Sequence, residues 1–169
     1  MNMKRLKKGE RGFTLIEVLI AIAITGIIAA AITGAIFQVF NVNTRSSNRM
    51  IAVRQVQQAG KEVSKDVLQS QPDKIDYDEL PDGYFLLLGW TDWEGQENDV
   101  SYKIEDNKLQ RTHTIDGEPA STAPPIVAEY IDPAQTSFVL DGDTFQFTVT
   151  ATVGEESETR VYEVKPRPA

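Results

Sequence analysis

Glu17 is the only charged residue in the apolar run from 13 to 40. A carboxylate at mid-bilayer costs about 2.5–3.5 kcal/mol, and a residue kept there is usually functional. The run holds no cation to pair with it. A cut between Gly12 and Phe13 would create a free amine four residues from Glu17, and a helix would place both on one face. These residues therefore predict an ion pair between Glu17 and a new chain end, within one chain or between two copies.

The apolar run is long enough to cross a bilayer, because a spanning helix needs about 20 such residues. It follows a basic leader, residues 1–12, with five Lys or Arg and one acid. Basic flanks stay in the cytoplasm, so the leader predicts an N-terminus inside. The far flank has fewer bases, at Arg45, Arg49 and Arg54.

The helical pattern continues beyond Phe40 into an amphipathic stretch, residues 41–71, until Pro72 stops it. We therefore predict one helix from about Phe13 to about Ser70. Gly26, Gly34 and Gly60 weaken it by about 1 kcal/mol each relative to Ala. The apolar face of the second half comprises Met50, Val53, Val56, Gly60, Val63 and Val67, and the opposite face carries Arg54, Gln58, Lys61 and Lys65.

Residues 72–169 change to the patterns of strands and form a predicted globular head. The segment 144–153 alternates apolar and polar side chains, which is typical of a half-buried strand. Asp-Gly at 141–142 and Asn107 are hairpin signals. The predicted architecture is α+β, with an antiparallel sheet packed on the amphipathic half of the long helix. The strands are predicted at 84–90, 100–106, 108–116, 126–131, 137–140, 144–153 and 158–165, with a loop at 117–125.

Charge and composition exclude several classes of function. The head carries seven Lys or Arg against twenty-one Asp or Glu, so it should repel nucleic-acid phosphates, and no direct nucleic-acid binding is expected. The chain has no Cys, which removes disulfides and thiolate metal sites. No catalytic motif for hydrolysis or phosphate binding is present. His113 is the only histidine, and we predict that it faces solvent.

The stretch GFTLIEV, at 12–18, resembles the class III signal of the type IV pilin and type II secretion pseudopilin superfamily. The resemblance comprises the basic leader, Gly12, Phe13, Glu17 and the long apolar helix. It implies that prepilin peptidase cuts after Gly12 on the cytoplasmic side and methylates the new amine of Phe13. It also implies that Glu17 recruits subunits into a helical filament with the apolar helices at its core.

The resemblance further implies partners and a location. The partners would be prepilin peptidase, other pilin or pseudopilin subunits, membrane lipid, a membrane platform and, indirectly, an assembly ATPase. The chain would cross the cytoplasmic (inner) membrane once, with its head outside, and then enter an extracytoplasmic filament of a pilus, secretion or competence system. No cofactor and no enzymatic activity are expected.

The sequence departs from many major pilins, which have a Pro in the membrane helix and a C-terminal disulfide loop. Neither feature is present in this chain. Gly26 and Gly34 would then provide the helix flexibility that packing into a filament requires. The departures favour a minor pilin or a pseudopilin.

Other interpretations of the N-terminus give different mature chains. An ordinary secretory signal could be cut at Ala29-Ala30-Ala31, which would leave Ile32 first. A plain uncleaved anchor would leave Met1 or Met3 first. A second class of function is a single-pass, membrane-anchored extracellular binding module with an acidic head.

Three features of the head have a functional and a structural interpretation. Asp141, Asp143 and the acidic loop 91–99 could bind calcium, which some pseudopilins bind in their heads, but no EF-hand spacing is present and hairpin chemistry explains Asp-Gly. Trp90 and Trp93 could contact a subunit or a sugar, or could line the core and the loop. The arginines 45, 49 and 54 could contact lipid phosphates or acidic heads of neighbours, or lie in solvent.

Overall fold

The computed structural model describes residues 12–78, 80–81, 83–141 and 144–166. The predicted leader, apart from Gly12, lies outside these residues. The chain divides into two compact units, the first ending at Thr44 and the second beginning at Arg45.

Helix α1, Leu15–Gln69, is the one long helix that the apolar pattern predicts. It begins two residues later than predicted and passes through Gly26 and Gly34 without interruption. In the first unit, every described residue is exposed. This part of the helix is long and apolar enough to cross a membrane. An exposed surface of this kind is unfavourable in water and suited to lipid or to other apolar helices.

In the second unit, α1 buries one face and exposes the other. The buried face includes Val56, Gly60, Val63 and Val67, as predicted. It differs at its start, because Met50 is 62% exposed, and it also includes the fully buried Ala52 and Ala59. The small alanines let the sheets approach the helix closely, which a longer side chain at these positions would prevent. The wholly buried apolar residues of this face are Ala52, Val56, Ala59, Val63 and Val67.

Six strands form the first sheet, and all their pairings are antiparallel. The order is β1-β2-β3-β4-β5, and β6 also pairs with β4. Asp106 and Asn107 join β3 to β4 with positive φ values of 51° and 59°, which confirms the hairpin predicted at Asn107. The strands are β1 Ile75–Asp76, β2 Tyr84–Thr91, β3 Glu97–Glu105, β4 Lys108–Ile115, β5 Glu118–Pro119 and β6 Ile126–Ala128.

The second sheet has three antiparallel strands in the order β7-β8-β9. They are β7 Ser137–Asp141, β8 Thr144–Val153 and β9 Glu156–Val164. Asp141 pairs with Thr144, so the predicted hairpin is present, while Gly142 and Asp143 lie outside the described residues. The alternation predicted for β8 is observed, with Phe145, Phe147, Val149, Ala151 and Val153 buried.

Both sheets contribute to one hydrophobic core with the second-unit part of α1. Phe85 of β2 stacks on Phe147 of β8, with ring centroids 5.8 Å apart and planes 5° apart. Aromatic contacts of this kind add to the free energy gained by burial. The predicted α+β architecture is therefore confirmed, with two sheets where one was expected.

A buried ion pair connects the helix to the first sheet. Asp66 of α1 is fully buried, and its carboxylate accepts the Tyr102 hydroxyl at 2.6 Å. Arg111 donates to the same carboxylate through Nε at 2.7 Å and through an Nη at 3.3 Å. Burial and the adjacent Asp66 carboxylate raise the pKa of Tyr102, so its hydroxyl remains a donor. Two side chains distant in sequence from Asp66 thus satisfy its buried charge.

Gly60 is a contact point with the second sheet as well as a weak point of the helix. The Tyr162 ring lies against its backbone, and a Cβ added at Gly60 would meet the ring at 2.1 Å. The Tyr162 hydroxyl also donates to the Val56 carbonyl at 3.1 Å. The missing side chain therefore makes room for an aromatic ring from β9.

We expect the contributions of Asp66 and Arg111 to the free energy of unfolding to be strongly coupled. Asp66→Asn should lower the free energy of unfolding by about 3 kcal/mol, because it leaves a half-buried guanidinium without its anion. Arg111→Met should cost at least as much, and the double variant less than the sum. Denaturant unfolding of the full chain in detergent, as a double-mutant cycle, measures this coupling. Strictly additive losses would contradict it.

The exposed pair of Arg45 and Glu155, 2.9 Å apart, is the matched control for that cycle. Both side chains are mostly in solvent, so Arg45→Met should change the free energy of unfolding by no more than about 1 kcal/mol.

Gly60→Ala should destabilise the second unit, although alanine is the better helix former. Overpacking against Tyr162 costs about 1–3 kcal/mol, which exceeds the gain in helix propensity of about 1 kcal/mol. Thermal unfolding in detergent measures the change. Gly34→Ala, where an added Cβ meets no atom within 4 Å, should cause no loss. In a Tyr162→Ala background the Gly60→Ala penalty should vanish, and its persistence would show that another contact causes it.

Candidate processing and assembly site

The bond between Gly12 and Phe13 lies before the first helical residue. Gly12, Phe13 and Thr14 are outside regular secondary structure, and the Phe13 side chain is 87% exposed. A peptidase binds its substrate in an extended form, so a cut here requires no unwinding of α1. The structure therefore leaves the predicted cleavage position accessible within the described chain.

Thr14 and Glu17 form a capping box at the start of α1. The Glu17 carboxylate accepts the backbone N–H of Thr14 at 2.8 Å, and the Glu17 N–H donates to the Thr14 hydroxyl oxygen at 3.3 Å. The Thr14 hydroxyl also donates to the carboxylate at 2.8 Å. Such a box satisfies backbone N–H groups that the first turn leaves without partners. It also explains why α1 begins at Leu15 and not at Phe13.

The capping box uses only one of the two oxygens of the Glu17 carboxylate. Both bonds from Thr14 reach the same oxygen, Oε2, and Oε1 has no hydrogen-bond partner among the residues that the structure describes. The N-terminal end of a helix also favours an anion. One oxygen is thus held by its own chain, and the other is available to a donor from outside.

The role of Thr14 was not predicted, although its signal is present in the sequence. Thr-Leu-Ile-Glu, at 14–17, has the spacing of a capping box before an apolar run. Of the other candidate residues in this segment, Gly26 and Gly34 lie within α1 and have open space where a Cβ would be.

The calcium candidates of the head are not gathered into a metal site in the described part of the chain, where no group of three or more possible ligands is found. The Asp92 carboxylate instead accepts the N–H groups of Glu94 and Gln96, at 2.9 and 3.0 Å. These bonds fix the β2–β3 loop. The Asp141 side chain and Asp143 lie outside the described residues.

The prediction that His113 faces solvent is wrong. Its Nε2 lies 2.9 Å from Oδ1 of the buried Asn98, and its ring stacks on Trp90 with centroids 5.7 Å apart. Burial and the nearby Arg111 lower the pKa of His113. The strand alternation was misassigned, because residues 109, 111 and 113 point toward the helix side. Trp90 packs against the core, whereas Trp93 is 90% exposed.

Residues 7–33 match the prokaryotic N-terminal methylation motif. This is the signal of type IV pilins and pseudopilins, so the chain carries a pilin-type N-terminus, and the apolar helix that follows supports a type IV pilin-like protein. The match includes Gly12, Phe13, Thr14 and Glu17. No curated protein and no solved structure matches the chain.

Thr14→Ala should loosen the first turn of α1 by about 1 kcal/mol, the usual cost of a lost N-cap. Amide hydrogen exchange of residues 15–18 in the full chain, followed by mass spectrometry in detergent, should become faster. Thr14→Ser keeps the hydroxyl and should exchange like the parent chain. Thr25→Ala removes a different hydroxyl bond, to the Ala21 carbonyl at 2.7 Å, and should leave residues 15–18 unchanged. Equal exchange in Thr14→Ala and the parent would contradict the capping role.

Proposed function

We propose that this chain is a minor pilin or pseudopilin, a structural and non-enzymatic subunit of a type IV pilus, type II secretion or competence filament. The observation that carries the proposal is the methylation motif over residues 7–33, followed at once by an apolar surface exposed along the first part of α1. Prepilin peptidase would cut after Gly12 and methylate Phe13. The processed chain would assemble with other pilin or pseudopilin subunits through this helix.

The Glu17 carboxylate supports a role in assembly because it is both fixed and incompletely satisfied. Cleavage after Gly12 would leave Thr14 and Glu17 in the mature chain, so the capping box would persist. The free oxygen of the carboxylate could then accept the Phe13 amine of a neighbouring subunit. In hydrocarbon such a pair removes most of the cost of each charge. The pairing would set the axial register of adjacent helices.

The location and the remaining partners follow from the same proposal. The chain would first cross the inner membrane once, with its N-terminus in the cytoplasm and its head outside. Membrane lipid would surround α1 before assembly. A membrane platform, acting with an assembly ATPase, would move the subunit into an extracytoplasmic filament, where Gly26 and Gly34 would let the helix adjust.

The mature N-terminus is the first test of the proposal. Intact mass and N-terminal sequencing of the chain from a host with prepilin peptidase should give a polypeptide that begins with N-methylated Phe13. A chain beginning at Ile32 would support an ordinary secretory signal, and one beginning at Met1 or Met3 an uncleaved anchor. Either result would overturn the proposal.

The charge of Glu17 can be separated from its capping role by two substitutions. Glu17→Gln keeps a side chain able to cap Thr14 but removes the charge, so filament incorporation should be lost while the head stays folded. Thr14→Ser keeps both and should be incorporated normally. Incorporation is measured by immunoblotting of sheared filament fractions against membrane fractions. If the parent chain stays in the membrane fraction and Glu17→Gln and Glu17→Val behave as it does, a membrane-anchored binding module is favoured.

A further inference from the structure

The β2–β3 loop holds Trp93 in solvent even though the loop itself is well fixed. The Asp92 carboxylate binds two backbone N–H groups of the loop, and the Gly95 N–H donates to the Asp92 carbonyl at 3.1 Å. Gly95 has a φ of +85°, a conformation that favours glycine. Trp93 is nevertheless 90% exposed. Because this loop is already ordered, it loses little conformational entropy when Trp93 binds a partner. Tryptophan is also enriched among the residues that contribute most of the binding energy at interfaces.

Acidic residues lie on this loop and on the β4–β5 turn that is joined to it. The β4–β5 turn is joined to the start of β3, because the Glu97 N–H donates to the Asp116 carboxylate at 3.0 Å and the Asp116 N–H to the Glu97 carbonyl at 2.8 Å. Lys74 forms an ion pair with Glu97. Within residues 91–118, the Lys and Arg residues are Lys103, Lys108 and Arg111. We name as the acidic loop surface Asp92, Trp93, Glu94, Asp116 and Glu118.

The outer face of α1 in the second unit has the opposite charge. Residues three or four apart share a helix face, and the exposed residues between 54 and 68 include three cations and no acid, while Glu62 in the same stretch is half-buried. None of the three cations has an ion-pair partner among the residues described in the second unit. Their spacing along α1 covers roughly 16 Å. We name as the basic helix face Arg54, Gln57, Gln58, Lys61, Lys65 and Leu68.

We propose that the basic helix face of one copy binds the acidic loop surface of a second copy. Trp93 would lie over the aliphatic stems and charged ends of Lys61 and Lys65, while the carboxylates of the acidic loop surface pair with the three cations. A cation over an indole face is attracted by the ring as well as by the carboxylates. The proposal rests on the proposed function as a filament subunit, and it identifies a head contact that the N-terminal helix does not provide.

Two observations favour a second copy over a lipid surface as the occupant of the basic helix face. The same head supplies both complementary surfaces, and complementary charge fixes register and suppresses wrong pairings. The two surfaces are also different, so their contact is heterologous. Heterologous contacts that do not close into a ring generate open helical filaments.

The absence of cysteine from the chain allows a direct test by cross-linking. Two full-length variants, Gln58→Cys and Glu94→Cys, are co-expressed in the membrane with prepilin peptidase and treated with a short bis-maleimide. We expect a cross-linked dimer that contains one copy of each variant. Gln58→Cys with Thr152→Cys, an exposed residue of β8, is the control pair and should give no dimer. A cross-link of equal yield in both pairs, or in neither, overturns the proposal.

Charge reversal tests whether the contact depends on the named cations. Lys61→Glu with Lys65→Glu, introduced into the Gln58→Cys copy, should reduce the dimer about tenfold. Glu118→Lys in the Glu94→Cys copy should restore part of the lost yield. Trp93→Ala in that copy should also reduce the dimer, and Trp93→Phe should reduce it less. Circular dichroism of each variant confirms that the head is folded, and a yield unaffected by charge reversal overturns the proposal.

Two further results separate the possible failures. If charge reversal leaves the dimer intact but abolishes binding to anionic phosphatidylglycerol vesicles, the basic helix face binds lipid and the proposal is wrong. If Glu17→Gln prevents filament incorporation while charge reversal leaves both dimer and filament unaffected, the proposed function stands and this contact fails. If the dimer forms and responds to charge reversal while the parent chain is absent from the filament fraction, the contact stands and the proposed function fails.

Discussion

Helix α1 is one continuous hydrogen-bonded backbone whose two parts are suited to different environments, an apolar one and the core of a globular unit. Between Leu15 and Thr44 its side chains are exposed and almost all apolar, so this part requires lipid or other helices around it. From Arg45 onward the helix is amphipathic, and one face is buried under two sheets. No break separates the two parts, so one helix carries both the apolar surface of the first unit and part of the core of the second.

The second unit depends on a few contacts that are specific in shape and charge. Apolar burial by alanine and valine brings the sheets to the helix but does not select one arrangement of them. The buried carboxylate of Asp66, satisfied by Tyr102 and Arg111, requires the first sheet to lie at one height along α1. The ring of Tyr162 against Gly60 does the same for the second sheet. Each contact would be costly to break, because a buried charge or a filled space has no alternative partner.

At its other end, α1 begins with a carboxylate that folding uses only in part. One oxygen of Glu17 closes the first helical turn through Thr14, which lowers the cost of an acidic residue before an apolar run. The other oxygen has no partner within the described chain. Gln could serve as the cap alone, whereas the charge of Glu17 also favours the N-terminal end of the helix and can pair with a cation. The proposed pairing between subunits thus uses the part of Glu17 that folding leaves free.

Much of this protein could be predicted from local sequence patterns. The apolar run, the position of Glu17 after Gly12 and Phe13, the extent of the helix and most strands depend on neighbouring residues, so periodicity and turn residues were sufficient to indicate them. The α+β class followed from the same patterns, and the spacing of Thr14 and Glu17 also contains the signal of a capping box.

What only the tertiary structure decided was which side chains meet. Local patterns do not single out Asp66, they place His113 on the wrong face, and they put Gly60 on the apolar face of α1 without indicating the aromatic ring that it contacts. Their roles depend on residues from 15 positions away, as Asn98 is from His113, to 102 positions away, as Tyr162 is from Gly60. Pairing at such separations is set by packing and buried charge, not by local propensity.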